Sequence, residues 1–141
     1  MTTEAATEEA SGTGGGEGAR RAWRVVVVWL VFQLTLTTLP GKALPPMPGF
    51  RIDWVAHFCM YFGLGFLMAR AAHRSGWSAT RVALVWVAIA VFGVLDEFHE
   101  ELIPGRGAEL MDWAMDASGS WVGLVTGYVL MRTRWAQKLV Q

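Results

Sequence analysis

Four hydrophobic blocks constrain the fold of this 141-residue chain more strongly than any other feature. The blocks cover residues 23–39, 54–72, 82–95 and 113–131, and apolar stretches of this kind are typical of helices that enter a bilayer. Several of the 8 tryptophans stand near block edges, where membrane helices carry interfacial aromatic residues. The pattern predicts an all-α fold, an integral membrane bundle of four transmembrane helices.

The uninterrupted apolar cores are short for this purpose. The third block has fourteen residues, which span about 21 Å at about 1.5 Å per residue, against a hydrocarbon core of about 30 Å. One such block would also suit a buried helix of a soluble protein, whereas four in one small chain favour the membrane. Each helix is then expected to continue into its flanking polar residues, which gives helices at about 23–39, 54–72, 80–101 and 112–131.

The blocks organise the chain into one transmembrane domain with two tails. Residues 1–19 are mainly Thr, Glu, Ala and Gly, which bury too little apolar surface to fold, so we expect a disordered cytoplasmic tail. The domain covers residues 20–136, with an irregular Pro- and Gly-rich connection at 40–52, and a short cytoplasmic tail follows at 137–141.

Basic residues indicate how the domain is oriented. If the amino terminus is cytoplasmic, the inner helix ends carry nine lysines and arginines and the outer connections carry only three. The nine are Arg20, Arg21, Arg24, Arg70, Arg74, Arg81, Arg132, Arg134 and Lys138. Because Lys and Arg concentrate at cytoplasmic helix ends, the sequence predicts a multi-pass protein of the cell membrane with both termini cytoplasmic. The formal net charge of +0 gives no reason to expect a nucleic-acid partner.

With that orientation, the acidic residues beyond residue 17 gather at the outer face. They form three clusters, which are Asp53; Asp96, Glu97, Glu100 and Glu101; and Glu109, Asp112 and Asp116. Each cluster lies at the outer end of a predicted helix, so we expect the three to converge. Ionisable groups at membrane depth are costly and usually face a protein interior or a wet cavity, which marks this end as a candidate functional site.

The second helix offers a line of groups suited to proton handling. Asp53, His57 and Tyr61 are spaced four residues apart and share one helical face, so that Asp53 would orient the imidazole of His57. A structural reading stays open, in which Asp53 caps the helix, His57 is a hydrogen-bonded interior residue and Tyr61 packs in the core.

The end of the third helix crowds like charges where the helix dipole also disfavours anions. Asp96, Glu97, His99 and Glu100 are neighbours on the helix surface there. This arrangement needs a compensating cation, protonation or the nearby Arg106. The groups suit a divalent metal, whose identity the sequence leaves open, or general acid and base chemistry. A solvated, interfacial helix end is the alternative.

Arg106 lies in a short Pro-Gly turn between two acidic helix ends. Arginine is suited to bidentate contacts with phosphate or carboxylate, so Arg106 is expected either to bind an anionic headgroup or to form a structural salt bridge. The acids available for such a bridge are Asp53, Glu97 and Asp112.

A glycine stripe marks one face of the fourth helix. Gly119, Gly123 and Gly127 repeat at every fourth position, and small residues at this spacing let helix backbones approach closely. The stripe predicts a packing seam that draws Asp112 and Asp116 into the bundle. Asp112 by itself would also serve as a helix cap, whereas Asp116 lies one turn further in.

In this order and spacing, the motifs resemble the VanZ-like family of small integral membrane proteins. The matching residues are Asp53-x-x-x-His57-Phe58-x-x-Tyr61, Asp96-Glu97-x-His99, Pro104-Gly105-Arg106, Asp112, and Asp116-x-x-Gly119 with Gly123. They lie within residues 40–130, and Glu100 stands where family members more often have Gln. The resemblance implies a bacterial cell-envelope membrane protein linked, through the family's namesake, to low-level resistance to the glycopeptide antibiotic teicoplanin. It implies neither assigned catalytic residues nor a substrate.

The leading hypothesis is a membrane protein whose acidic, histidine-containing outer-face site binds or acts on a cell-envelope component, such as an anionic lipid or precursor. Whether the protein is an enzyme stays open, and the candidate catalytic residues are His57, Glu97 and His99. The candidate binding residues are Asp53, Tyr61, Asp96, Glu100, Arg106, Asp112 and Asp116.

Two functions of other classes compete with this hypothesis. A non-catalytic assembly or binding module would use the same residues as a polar latch between helices. An ion- or proton-coupled transporter would need polar residues continuing to the cytoplasmic side, where the sequence offers mainly Thr126 and Tyr128, so transport ranks third. The sequence leaves the oligomeric state open.

Overall fold

The computed structural model of the chain describes residues 3–40 and 52–133. Within these ranges the protein is all helical, with four α-helices and no strand. The helices are α1 (Thr3–Thr37), α2 (Ile52–Arg74), α3 (Ala79–Glu101) and α4 (Leu110–Arg132). Most of the connection expected to be irregular at 40–52, the tail at 137–141, and the basic residues Arg134 and Lys138 lie outside the described residues.

The sequence places α2, α3 and α4 to within two residues at either end. Local signals explain this agreement. The hydroxyl of Ser78 accepts a hydrogen bond of 3.4 Å from the backbone N–H of Arg81 and so caps the start of α3. The turn before α3 contains Gly76 at φ 64°, and the turn before α4 contains Gly105 at φ 81°, a backbone conformation that glycine adopts without strain.

The structure differs from the sequence prediction at α1. The helix begins at Thr3, so the tail expected to be disordered over residues 1–19 is helical from Thr3 onward and continuous with the first apolar block. Helix growth from an existing helix costs far less than nucleation, and the Ala and Glu residues of this segment are strong helix formers. Glu17 and Arg21, one turn apart, add an exposed ion pair.

Backbone contact between α2 and α4 forms the central interface of the fold. A Cβ atom at Gly119 would overlap the carbonyl oxygen of Phe58, and one at Gly123 would overlap that of Phe62. The packing seam predicted from the glycine stripe is therefore confirmed, and α2 is its partner. We call it the glycine seam; its members are Gly65, Gly119, Gly123 and Gly127.

Tryptophan side chains join the other helices across their interfaces. The indole N–H of Trp29 in α1 donates to the carbonyl of Met60 in α2 at 3.1 Å. Between α3 and α4 the Trp113 indole donates to the carbonyl of Ala90 at 3.1 Å, and a further indole, that of Trp86, donates from α3 to α4. These bonds give the three indole N–H groups their partners and fix how the helices lie against one another.

The end of the bundle opposite the acidic clusters carries basic residues around an aromatic contact. The indole of Trp23 in α1 donates to the hydroxyl of Ser75 at 3.0 Å, and its ring centroid lies 5.0 Å from that of Trp77. These contacts bring the start of the apolar part of α1 to the turn between α2 and α3. We call this the basic end; its arginines are Arg20, Arg21, Arg24, Arg70, Arg74, Arg81 and Arg132.

Large apolar side chains cover the outside of the bundle, and polar and charged side chains are buried at one of its ends. Val28, Val55 and Leu84 expose 68%, 60% and 64% of their surfaces, whereas Asp116 and Ser120 are completely buried. Within the described ranges, two helices are long and apolar enough to cross a membrane, and these are α2 and α3. Only 22% of the apolar stretch of α2 and 17% of that of α3 is buried within the molecule.

Candidate functional site

Residues of the three acidic clusters meet at one end of the helices, as the sequence predicts. Contacts of 4.0 Å or less link α2 to α3 and to α4, and link α1 to the turn between α3 and α4. We call this region the polar site. Its members are His57, Tyr61, Asp96, Glu97, Glu100, Arg106, Asp112 and Asp116.

The imidazole of His57 lies among three carboxylates. Its Nδ1 is 3.0 Å from Oδ1 of Asp116 and 4.0 Å from Oε1 of Glu97, and its Nε2 is 3.9 Å from Oδ2 of Asp112. Only the contact with Asp116 is short enough for a hydrogen bond. Both ring nitrogens therefore face carboxylates, and the three acids come from two different helices.

The acid that contacts the imidazole is not the one the sequence suggested. Asp53, which was expected to orient His57, is exposed at the start of α2 and lies close to Glu109 and Asp112. Asp116 takes that place because the glycine seam holds the backbones of α2 and α4 together one turn away, where Gly119 meets Phe58. A short carboxylate on α4 then reaches a half-buried ring on α2.

Tyr61 also takes its partner from another helix. The tyrosine is 1% exposed, and its hydroxyl donates to Oδ2 of Asp96 in α3 at 3.2 Å. The other oxygen of Asp96, Oδ1, is buried without a hydrogen-bond partner among the described residues. The contact ties α2 to α3 at the depth of the polar site.

Arg106 connects the turn between α3 and α4 with the end of α1. Its Nε and Nη2 donate to Oε2 of Glu100 at 2.7 and 2.6 Å, and its Nη1 donates to the carbonyls of Leu36 and Thr37 at 3.2 and 3.3 Å. The last carbonyls of a helix lack partners within the helix, and the guanidinium supplies them. The structural salt bridge considered from the sequence is thus present, but with Glu100 in place of the three acids expected.

Glu97 links α3 to the start of α4. Its Oε2 accepts a hydrogen bond of 2.8 Å from the backbone N–H of Glu109, the residue that precedes the first turn of α4. Because Glu109 occupies the cap position, Asp112 lies inside the first turn and is not the cap that the sequence allowed for. Asp112 is instead buried in the polar site.

His99, a candidate catalytic residue, lies apart from the polar site. Asp96, Glu97 and Glu100 are buried on one face of α3, whereas His99 is half-buried, and no contact joins it to His57 in the described part of the chain. Helical geometry explains this. Position 99 is rotated by about 100° around the helix axis from the middle of the face that positions 96, 97 and 100 share. The other residues named from the sequence lie in or beside the polar site.

A cavity of about 280 Å³ adjoins the polar site. The lining residues come from α1, α2, α3 and the turn after α3, and they include both apolar and ionisable side chains. The lining residues are Gln33, Leu36, Thr37, Asp53, Ala56, His57, Met60, Tyr61, Asp96 and Arg106.

Gln33 is the functional candidate that the sequence reasoning missed. It is 1% exposed, it lines the cavity, and neither its amide nitrogen nor its amide oxygen has a hydrogen-bond partner among the described residues. The signal was available, because Gln33 is the one amide in the first apolar block and continues the buried stripe of Ala22 and Val26.

Five carboxylic acids are buried in the polar site, whereas the described cationic groups that face them are Arg106 and, when protonated, His57. Burying a charge without a partner is costly, so such a site requires bound protons, a cation or ligand donors. Among the described residues, five carboxyl oxygens are buried without a hydrogen-bond partner. They are Asp96 Oδ1, Glu97 Oε1, Glu100 Oε1, Asp112 Oδ1 and Asp116 Oδ2.

No protein-family model, curated protein or solved structure matches this chain. The resemblance to the VanZ-like family stays a prediction that rests on the residues quoted from the sequence. The structure brings seven of those residues together in the polar site and leaves Asp53 and His99 outside it.

Proposed function

We propose that this chain is an integral membrane protein whose four helices cross the bilayer, and that the cavity beside the polar site binds a cell-envelope component at the outer face. The observation that carries the proposal is the distribution of polar and apolar side chains over the bundle. Ionisable side chains are buried at one end, and large apolar side chains cover the outside.

The apolar exterior supports the membrane part of the proposal. At least 22 large hydrophobic residues are exposed in the described ranges, on all four helices. Soluble monomers rarely expose contiguous apolar patches beyond a few hundred Å², whereas lipid tails solvate such a surface. A helix of 23 residues is about 35 Å long, which is enough for a hydrocarbon core of about 30 Å.

The separation of charge supports an orientation with the polar site outside. The arginines of the basic end lie opposite the polar site, around the contact of Trp23 with Trp77. Arginine favours cytoplasmic helix ends, and tryptophan favours the interface between lipid and water. Under this proposal the amino end of the apolar part of α1 and the carboxyl end of α4 lie on the cytoplasmic side.

The lining of the cavity supports binding of a polar group carried on an apolar molecule. Leu36, Ala56 and Met60 give an apolar wall, while Asp53 and Asp96 bring carboxylates to the same space. The guanidinium of Arg106 is already paired with Glu100, so a bare anionic group would meet uncompensated carboxylates. The lining therefore favours a headgroup that donates hydrogen bonds, and Gln33 offers both a donor and an acceptor.

Cysteine labelling tests the topology. In a Cys59→Ala background, Gly107→Cys places a thiol in the turn between α3 and α4, and His73→Cys places one at the exposed end of α2. A membrane-impermeant maleimide is expected to label Gly107→Cys in intact cells and His73→Cys only after permeabilisation. Labelling in the reverse order would reject the orientation, and full labelling of exposed positions in mid-helix would reject the membrane assignment.

Antibiotic susceptibility tests the role in the cell envelope that the family resemblance suggests. Expression of the chain in a teicoplanin-sensitive bacterium is expected to raise the inhibitory concentration of teicoplanin, and Gln33→Leu and His57→Ala are expected to abolish the increase at equal membrane abundance. Glu101→Gln, at an exposed position beside the site, serves as the control and should retain the increase. No increase with the wild-type chain would reject this role.

A second candidate function is a non-catalytic assembly or binding module. The polar contacts join all four helices, through Tyr61 with Asp96, His57 with Asp116, and Arg106 with the end of α1. If these contacts serve only as a latch, alanine at Asp96 or Asp116 lowers the amount of folded protein. If they serve a ligand, the same variants leave abundant protein that lacks the function.

Transport remains the third candidate because the buried residues beyond the polar site are mainly apolar. Val26, Leu64, Ala69, Leu124 and Met131 fill the interior towards the basic end. A path for ions or protons would need polar groups or water along this route. The described interior favours binding at one face over passage through the bundle.

A further inference from the structure

The strongest unassigned feature of the polar site is the arrangement of three potential metal ligands. One nitrogen of His57 and one oxygen each of Glu97 and Asp116 lie within 4.8 Å of one another. The measured separations from Nδ1 of His57 are 3.0 Å to Asp116 and 4.0 Å to Glu97. Ligand atoms placed about 2.1 Å from one metal ion are about 3 to 3.5 Å apart, so the group needs only small side-chain adjustments to enclose an ion.

An unpartnered, buried oxygen points to a ligand at this place. The side chain of Glu97 is 9% exposed, and its Oε2 accepts a hydrogen bond from the backbone N–H of Glu109. Its Oε1 faces His57 at 4.0 Å and has no hydrogen-bond partner within residues 3–40 and 52–133. The side chain of Asp116 is 1% exposed and likewise has one oxygen, Oδ2, without a partner among the described residues. The hydrogen bond to Glu109 fixes the carboxylate of Glu97 while leaving its second oxygen available.

We propose that His57, Glu97 and Asp116 bind a divalent transition-metal ion. An imidazole nitrogen with two carboxylate oxygens suits Zn²⁺ or Mn²⁺, whereas Mg²⁺ and Ca²⁺ prefer sites made of oxygen alone. The ion would take the Nδ1 side of the ring, and Nε2 would then carry its hydrogen towards Asp112, 3.9 Å away. A carboxylate behind a ligating histidine is the usual means of fixing the ring orientation.

The metal site deepens the proposed function, and its role at the envelope rests on that function. His57 belongs both to the metal site and to the lining of the cavity, so the ion would lie beside the space where a headgroup binds. A divalent cation also offsets the negative charge of the buried carboxylates. An oxygen-bearing headgroup, including an anionic one, would then have a cation to coordinate.

Metal titration of the purified full-length chain in detergent tests the proposal. We expect about one Zn²⁺ or Mn²⁺ per chain, measured by isothermal titration and by elemental analysis after desalting. His57→Ala and Asp116→Asn are expected to weaken the affinity by at least tenfold. Glu97→Gln keeps the volume of the side chain and should weaken binding to a similar degree.

A matched control separates this site from its acidic neighbour. Asp53, Glu109 and Asp112 form a second group with ligand atoms within 4.8 Å, of which two members are exposed. The double variant Asp53→Asn with Glu109→Gln should leave the metal affinity unchanged. Loss of binding in this variant, with binding retained in His57→Ala, would overturn the assignment.

Further outcomes decide between the remaining possibilities. Wild-type protein that binds neither metal would overturn the metal site, and so would wild-type affinity in His57→Ala, Glu97→Gln and Asp116→Asn. Circular dichroism and gel filtration identify any variant that fails to fold, and the conservative Glu97→Gln and Asp116→Asn then carry the test. The titration needs neither a bilayer nor an envelope component. Metal binding together with cysteine labelling in the reverse order, or with full labelling in mid-helix, would therefore reject the proposed function and leave the metal site standing.

Discussion

The polar site and the glycine seam hold α2 and α4 together by different physical means. In the glycine seam, Gly119 and Gly123 remove side chains so that backbones touch, and the interface depends on shape. In the polar site, His57 and Asp116 meet through a directional contact of 3.0 Å between charged or polar groups. The comparison shows that the seam sets the distance between the helices and that the polar site uses this distance.

The largest expected effect lies in the polar site. Arg106→Ala leaves Glu100 buried without its cation and removes the hydrogen bonds from Arg106 to the carbonyls of Leu36 and Thr37, so we expect a loss of about 3 kcal/mol in the free energy of unfolding. Unfolding of the purified protein in detergent measures this. Adding Glu100→Gln should recover part of the loss, since a neutral amide is cheaper to bury, and Glu101→Gln should have no effect. A fully stable Arg106→Ala would mean that the ion pair does not hold the turn to α1.

Breaking the glycine seam should cost somewhat less. Gly123→Ala places a Cβ against the carbonyl oxygen of Phe62, which side-chain motion cannot relieve, so we expect a loss of about 2 kcal/mol despite the better helix propensity of alanine. Thermal unfolding and membrane abundance measure the effect. Gly107→Ala, where the added methyl meets nothing within 4 Å, is the matched control. Equal stability of the two variants would contradict the close approach of α2 and α4.

Gln33→Leu should change stability in the opposite direction. The substitution removes a buried amide whose donor and acceptor have no partner among the described residues, so we expect a gain of about 1 kcal/mol. If the proposed role in the cell envelope is correct, the same variant should also fail to raise the inhibitory concentration of teicoplanin, because the cavity loses its amide. Thr35→Val, on the exposed side of α1, should alter neither quantity appreciably. A destabilised Gln33→Leu would show that the amide supports the fold and not a ligand.

The smallest effect is expected at the basic end. Trp23→Phe keeps an aromatic ring near Trp77 but removes the hydrogen bond to Ser75, and interhelical hydrogen bonds in membranes contribute about 0.6 kcal/mol. The unfolding midpoint should therefore fall only slightly. A loss as large as that of Arg106→Ala would show that the two ends of the bundle depend equally on polar contacts.

The sequence predicted most helix boundaries because the signals for them are local. Gly76 follows α2, Pro104 and Gly105 follow α3, and Ser78 caps the start of α3. The helices α2, α3 and α4 begin and end close to the predicted residues. The helix α1 begins earlier than the sequence predicted, because composition describes an isolated segment. In the chain, residues from Thr3 onward extend a helix that the apolar block has already formed.

The sequence alone determined that the acidic clusters share one end of the bundle, because helix number and direction fix which ends meet. Only the tertiary structure decided the partners. His57 and Asp116 are 59 positions apart, and Tyr61 and Asp96 are 35 apart. Which side chains meet over such distances depends on how far the glycine seam lets two backbones approach and on the rotation of each helix, and neither quantity is encoded in the spacing along one helix.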